Sequence, residues 1–103
     1  MFTILLISAL ALAVAGDAYD VVTTEKCIKK LGDIETNDWL VGSRPTLKAL
    51  CLRDALVLGI ATAPCALFAA YGFTPWQYAG LIAPVIFGIK HYLGGRAGAK
   101  LLQ

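Results

Sequence analysis

Asp17 and Asp20 stand three residues apart at the end of a long apolar run, and Thr24 follows one turn after Asp20. On a helix these spacings place the three side chains on one face. An ionisable group in or just under the headgroup layer is a functional candidate by default, because near lipid it needs a partner. Such a pair can bind a cation, relay a proton or pair with a cation on another helix. Its plainer role is to mark a membrane exit and hydrogen-bond the neighbouring loop. A second acidic group follows in Gly32-Asp33-Ile34-Glu35-Thr36-Asn37. With Glu35 folded back towards Asp17 or Asp20, the carboxylates would offer the hard oxygen ligands that divalent metals favour. A solvated loop, with Glu35 paired to Arg44 or Lys48, is the simpler expectation.

His91 is the single histidine, and it continues a face made by Gly80, Pro84 and Gly88. That face is expected to look towards other helices. Asp17, Asp20, Glu35 and His91 are therefore the candidate metal ligands, although a lone histidine is more often a satisfied hydrogen-bonder. Arg53 and Asp54 are consecutive, and consecutive residues diverge on a helix. They are expected to pair poorly with each other: Arg53 snorkels to headgroups, and Asp54 pairs across helices with Lys90 or His91. There is no G-x-S-x-G, no H-E-x-x-H and no P-loop, and Ser8 and Ser43 have no neighbouring base. The reading is of a protein that is not an enzyme and carries no cofactor. Cys27, Cys51 and Cys65 are odd in number and contain no C-x-x-C pair, so neither a structural disulfide nor a zinc site is expected.

The elements that must position these residues follow from hydropathy. With 58% hydrophobic and 16% charged residues in a chain of 103, there is more apolar surface than so small a soluble domain can hide. Lipid resolves this. Spans are expected at about 2–22, 55–71 and 76–93, with a polar connection at about 32–46, in one integral membrane domain over 1–103. No charge interrupts the stretch between Asp54 and Lys90. All nine basic residues, Lys26, Lys29, Lys30, Arg44, Lys48, Arg53, Lys90, Arg96 and Lys100, then fall on one side. Cytoplasmic segments retain Lys and Arg, so the N-terminus is expected outside and the C-terminus inside. The net charge of +2 gives no argument for nucleic acid; its one-sided placement suits anionic headgroups.

Local signals refine this all-α, three-span picture. The first helix runs past the membrane to Leu31, with Gly32 as its stop and Lys26, Lys29 and Lys30 near its end. Ala13-Val14-Ala15 resembles a signal-peptide cleavage site. The nearest basic residues follow the apolar run rather than precede it, so the helix is expected to be retained. Thr46 is expected to cap the second helix, and Thr74 the third with Pro75 at its first position. Gly59, Ala63, Ala66 and Ala70 give the second helix a small-residue face, and Pro64 is expected to kink it. The last two helices are expected to form a tight hairpin. Trp39, Trp76 and Tyr78 suit membrane interfaces, and the tail Gly94–Lys100 either extends the last helix weakly or frays.

Residues 17–37 carry the order D-x-x-T-T…G-x-x-E-x-N. This resembles a pattern in a group of small bacterial and phage integral membrane proteins of unknown function, in which an Asp and Thr on the first helix precede a G-x-x-E-x-N turn. Asp20, Thr23, Gly32, Glu35 and Asn37 match; Asp38 stands where Pro is usual in the group. The resemblance implies a helical membrane fold and a polar site joining the first helix to its loop, and it imports no activity. The topology is also similar to that of three-span phage holins, which open lesions in the inner membrane.

These readings converge on a multi-pass protein of the bacterial inner membrane. It would act by assembly with itself or another membrane protein, with Asp20, Thr24, Glu35 and Asn37 forming a polar patch. The alternatives are a holin-like membrane-permeabilising protein, and a protein with an ion- or metal-binding site inside the membrane.

Overall fold

The computed structural model describes residues 1–32, 42 and 45–103. The expectations resting on Glu35, Asn37, Trp39 and Arg44 lie outside the described residues. Helix α1 spans Phe2–Leu31, α2 Leu47–Ala70, α3 Thr74–Ala79 and α4 Ile82–Leu101. All the described regular structure is helical. The long axis of the molecule, 49 Å, is set by α1, since 30 residues at about 1.5 Å each give about 45 Å.

The ends of the helices follow their sequence signals. Gly32 closes α1 with φ 70°, a left-handed conformation that costs glycine little. Thr46 caps α2, its side chain accepting from the Ala49 N–H at 3.2 Å. The third predicted span is corrected in two ways. It is broken at Gly80–Leu81 into α3 and α4. Its first residue is Thr74, with Phe73 in the capping position and no side-chain cap bond. The break falls where Gly80 lies against Cys65 of α2, so close that a Cβ there would sit 2.9 Å from the Cys65 Cα. The glycine-rich tail does not fray; it is helical to Leu101.

The main packing is between α1 and α4, not the expected hairpin of the last two helices. These helices touch along their length, whereas α2 contacts each of them far less. They are parallel: Gly88 of α4 faces Ala13 and Gly16 of α1, Gly95 faces Tyr19, and Gly98 faces Thr23 and Cys27. On α1 the contact seam is Ala9, Ala13, Gly16, Thr23 and Cys27, all buried. Small side chains at helical spacing let two backbones approach and gain dispersion contacts along the whole crossing. At one end, Ala9, Cys65 and Leu81 form a small apolar core with Phe2, Leu6 and Val85 packed against it. The Phe2 and Tyr78 rings meet edge-on at 5.5 Å.

Helices α1 and α2 are each long and apolar enough to cross a membrane; α4, with Lys90, Arg96 and Lys100 along it, falls short of that. Much of the apolar surface of the two longer helices faces outward, including Ile4, Ile7, Leu52 and Ile60. On α2 the face of Gly59, Ala63 and Ala66 is left open by the described residues. With Leu10, Ala55, Leu58 and Thr62 it lines an open groove of about 430 Å³.

The two kinds of glycine should respond oppositely to substitution. A Cβ on Gly16 would run into the Gly88 carbonyl oxygen, whereas one on Gly59 meets nothing within 4 Å. Gly16→Ala is expected to destabilise the protein by about 1–3 kcal/mol. Gly59→Ala should leave stability unchanged or raise it by up to about 1 kcal/mol through helix propensity. Unfolding in detergent, followed by circular dichroism, checks both.

Candidate functional site

Three helices each send ionisable side chains to one point. Along α1, Asp17 and Asp20 flank the seam made by Gly16 and Thr23. On α4, His91 sits three residues after Gly88, on the same buried face. From α2 come Arg53 and Asp54, both almost fully buried, with Asp54 only 3% exposed. The close approach of α1 and α4 is what brings the imidazole within reach of the two α1 acids. Gly94 contributes by absence: the Asp20 carboxylate occupies the space where its Cβ would be.

The contacts are short. His91 Nδ1 lies 2.6 Å from Asp20 Oδ2, 3.4 Å from Asp17 Oδ1 and 4.0 Å from Asp54 Oδ2. An ionised carboxylate only accepts hydrogen bonds, so the 2.6 Å contact has Nδ1–H donating to Asp20. The other Asp20 oxygen accepts from the Thr24 hydroxyl at 3.3 Å. Thr23 instead turns its hydroxyl to the Tyr19 carbonyl at 2.6 Å. Phe87, one turn before His91, packs on the imidazole with ring centres 4.2 Å apart.

Asp17 and Asp54 are less well satisfied than Asp20. Asp54 Oδ1 accepts from Arg53 Nε at 3.0 Å. Its Oδ2, and Oδ1 of Asp17, are buried with no hydrogen-bond partner. These two oxygens and a His91 nitrogen lie within 4.8 Å of one another. The electrostatic balance is negative. Three carboxylates face one guanidinium, so with all three ionised two negative charges are uncompensated when His91 is neutral and one when it is protonated. Buried acceptors of this kind are costly unless a proton or cation joins them. Chemically the arrangement can hold a cation on carboxylate oxygens and one imidazole.

Several sequence expectations meet here and several do not. Asp17, Asp20, Thr24 and His91 are brought together. Two corrections concern α2. Arg53 and Asp54 do pair with each other: the arginine side chain is long enough for its Nε to donate to Asp54 Oδ1 at 3.0 Å. Arg53 is buried and does not snorkel outward. The expected Asp54–Lys90 pair is also corrected. Lys90 is exposed, and the α4 residue nearest Asp54 in the centre is His91. Sequence reasoning did not place Asp54 among the candidate ligands. The signal available was its position at the border of the uncharged stretch, where a carboxylate must turn inward.

Cys27 Sγ contacts the Gly98 carbonyl at 3.5 Å and Cys65 Sγ the Gln77 carbonyl at 3.4 Å, while Cys51, one turn before Asp54 on α2, is exposed.

Comparison with known protein families, curated proteins and solved structures finds no match for this chain. The functional argument therefore rests on the site.

If the Asp20–His91 contact ties α1 to α4, the two residues must be energetically coupled. A double-mutant cycle of Asp20→Asn and His91→Gln is expected to give a coupling energy of about 0.5–3 kcal/mol. A value near zero in unfolding measurements would show that the contact carries no stability.

Proposed function

We propose that this chain is an integral membrane protein whose working part is a cation-binding centre between α1, α2 and α4. The observation that carries this reading is the convergence of Asp17, Asp20, Asp54 and His91 from three helices, with two buried carboxylate oxygens lacking partners. Two long, mostly exposed apolar helices support placement in lipid, where every ionisable side chain must be matched by a partner, a proton or an ion. The centre lies beyond the most apolar part of α1 and near the basic residues of its last turns. It would thus face the cytoplasmic side in an N-out, C-in arrangement.

A cation that binds the native state raises its stability by mass action. Purified protein in detergent should gain thermal stability from at least one of sodium, potassium, magnesium, calcium, manganese or zinc ions. The Asp17→Asn/Asp54→Asn double variant should not. Wild type and variant responding alike to every ion would sink the reading.

A second reading is favoured by the groove on α2. Its small-residue face is left open by the chain's own helices, and the buried Thr62 hydroxyl beside it lacks a partner. Small-residue faces are where membrane helices associate. On this reading the protein assembles with itself or another membrane protein through α2. Light scattering in detergent should then show an oligomer for wild type and a smaller species for Gly59→Leu, and a monomeric wild type would exclude self-assembly.

A further inference from the structure

We propose that the centre takes one divalent metal ion of the kind that accepts mixed nitrogen and oxygen ligands, held by Asp17, Asp54 and His91. This deepens the cation-binding reading and rests on it. The inference starts from the buried Asp54, whose Oδ2 lies 4.0 Å from His91 Nδ1 and accepts no hydrogen bond among the described residues. Asp17 Oδ1, the other buried acceptor without a hydrogen bond, points to the same place. A polar interior atom left without a partner calls for an explanation, and two converging on one imidazole nitrogen share a single one.

The spacing suits an ion. Zinc-like ions bind imidazole nitrogen and carboxylate oxygen at about 2.0–2.2 Å, which for tetrahedral geometry separates ligand atoms by about 3.3–3.6 Å. His91 Nδ1 is 3.4 Å from Asp17 Oδ1 and 4.0 Å from Asp54 Oδ2. The three ligand atoms fall within 4.8 Å of one another, so small side-chain adjustments complete the set. Asp20 Oδ2, at 2.6 Å from Nδ1, is too close to be a fellow ligand as it stands. It now accepts the Nδ1 proton. When the ion takes the Nδ1 lone pair, the neutral ring carries its proton on Nε2 instead, the proton passing from one ring nitrogen to the other through solvent, and Asp20 is freed to approach as a further oxygen ligand.

Charge and ligand type select the ion. With His91 neutral, three ionised carboxylates and Arg53 leave two negative charges, which one dication neutralises. The imidazole favours zinc, cobalt, nickel or iron over magnesium, calcium and manganese, which prefer oxygen ligands.

The test is titration of zinc and cobalt(II) into the purified full-length chain in detergent, by calorimetry and by the visible spectrum of bound cobalt. One ion per chain is expected, with magnesium and calcium binding more weakly. Asp17→Asn, Asp54→Asn and His91→Gln should each weaken binding by about tenfold or more, the loss that even a residue behind the ligands produces. Replacing all three cysteines by serine should leave binding intact. Circular dichroism identifies any variant that fails to fold, and the remaining two then decide. Zinc binding that survives the Asp and His substitutions, or that is lost with the cysteines, overturns the proposal. Stabilisation by sodium, magnesium or calcium with no zinc or cobalt binding overturns it too, while leaving the broader cation-binding reading standing. No response to any ion removes both.

Discussion

The backbone contact between Gly16 and Gly88 is the constraint on which the rest of the structure depends. At that crossing neither helix has room for even a methyl group. The contact fixes the separation of α1 and α4, and their separation fixes which side chains can meet further along. Within about one turn of the crossing on each helix stand Asp17, Asp20 and His91. With the helices a few ångströms further apart, the 2.6 Å contact between Asp20 and His91 could not form. The polar centre is therefore a product of apolar packing: dispersion along the seam holds together groups whose own electrostatics oppose assembly.

That opposition has a direction. Replacing a buried charged group by a well-packed apolar one is often neutral or stabilising, so three carboxylates at one point are poorly explained as structural glue. Only Asp20 has both oxygens engaged, by His91 and Thr24. The α1–α4 pair supplies Asp17, Asp20 and His91 on a firmly packed base. Helix α2 supplies Arg53 and Asp54 from a looser position. The centre thus has two well-fixed sides and one side carried by α2, which packs less tightly than α1 and α4 do on each other.

Much of this was legible in the sequence. The extent of α1, its glycine stop, the Thr46 cap and the inward face of Gly80, Pro84, Gly88 and His91 follow from spacing and composition. So does the candidacy of Asp17, Asp20 and His91. What was hidden depends on which helix neighbours which. Small residues line α1, α2 and α4 alike, and periodicity marks each face without choosing its partner. The seam on α1 at Ala9, Ala13 and Gly16 reads as ordinary apolar sequence until Gly88 is set against it. The Arg53–Asp54 pair was obscured by a rule about Cβ directions, which a side chain as long as arginine escapes. The break at Gly80–Leu81 falls beside the contact with Cys65 and four residues before Pro84, which has no N–H for the Gly80 carbonyl.

The parallel pairing of the first and last long helices has a consequence for how the protein is made. Asp20 and His91 are separated by 71 residues, so α1 is synthesised well before its partner exists. At ordinary translation rates of about 5–20 residues per second, the interval is on the order of ten seconds. Throughout it, the seam face of α1 and its two aspartates have only α2 for company within the chain. Contacts of such long sequence separation form late in folding. The nascent first helix therefore exists for that interval with its seam face uncovered by α4 and its acids still unmatched by His91. Completion of the polar centre then marks the moment at which the whole chain has arrived.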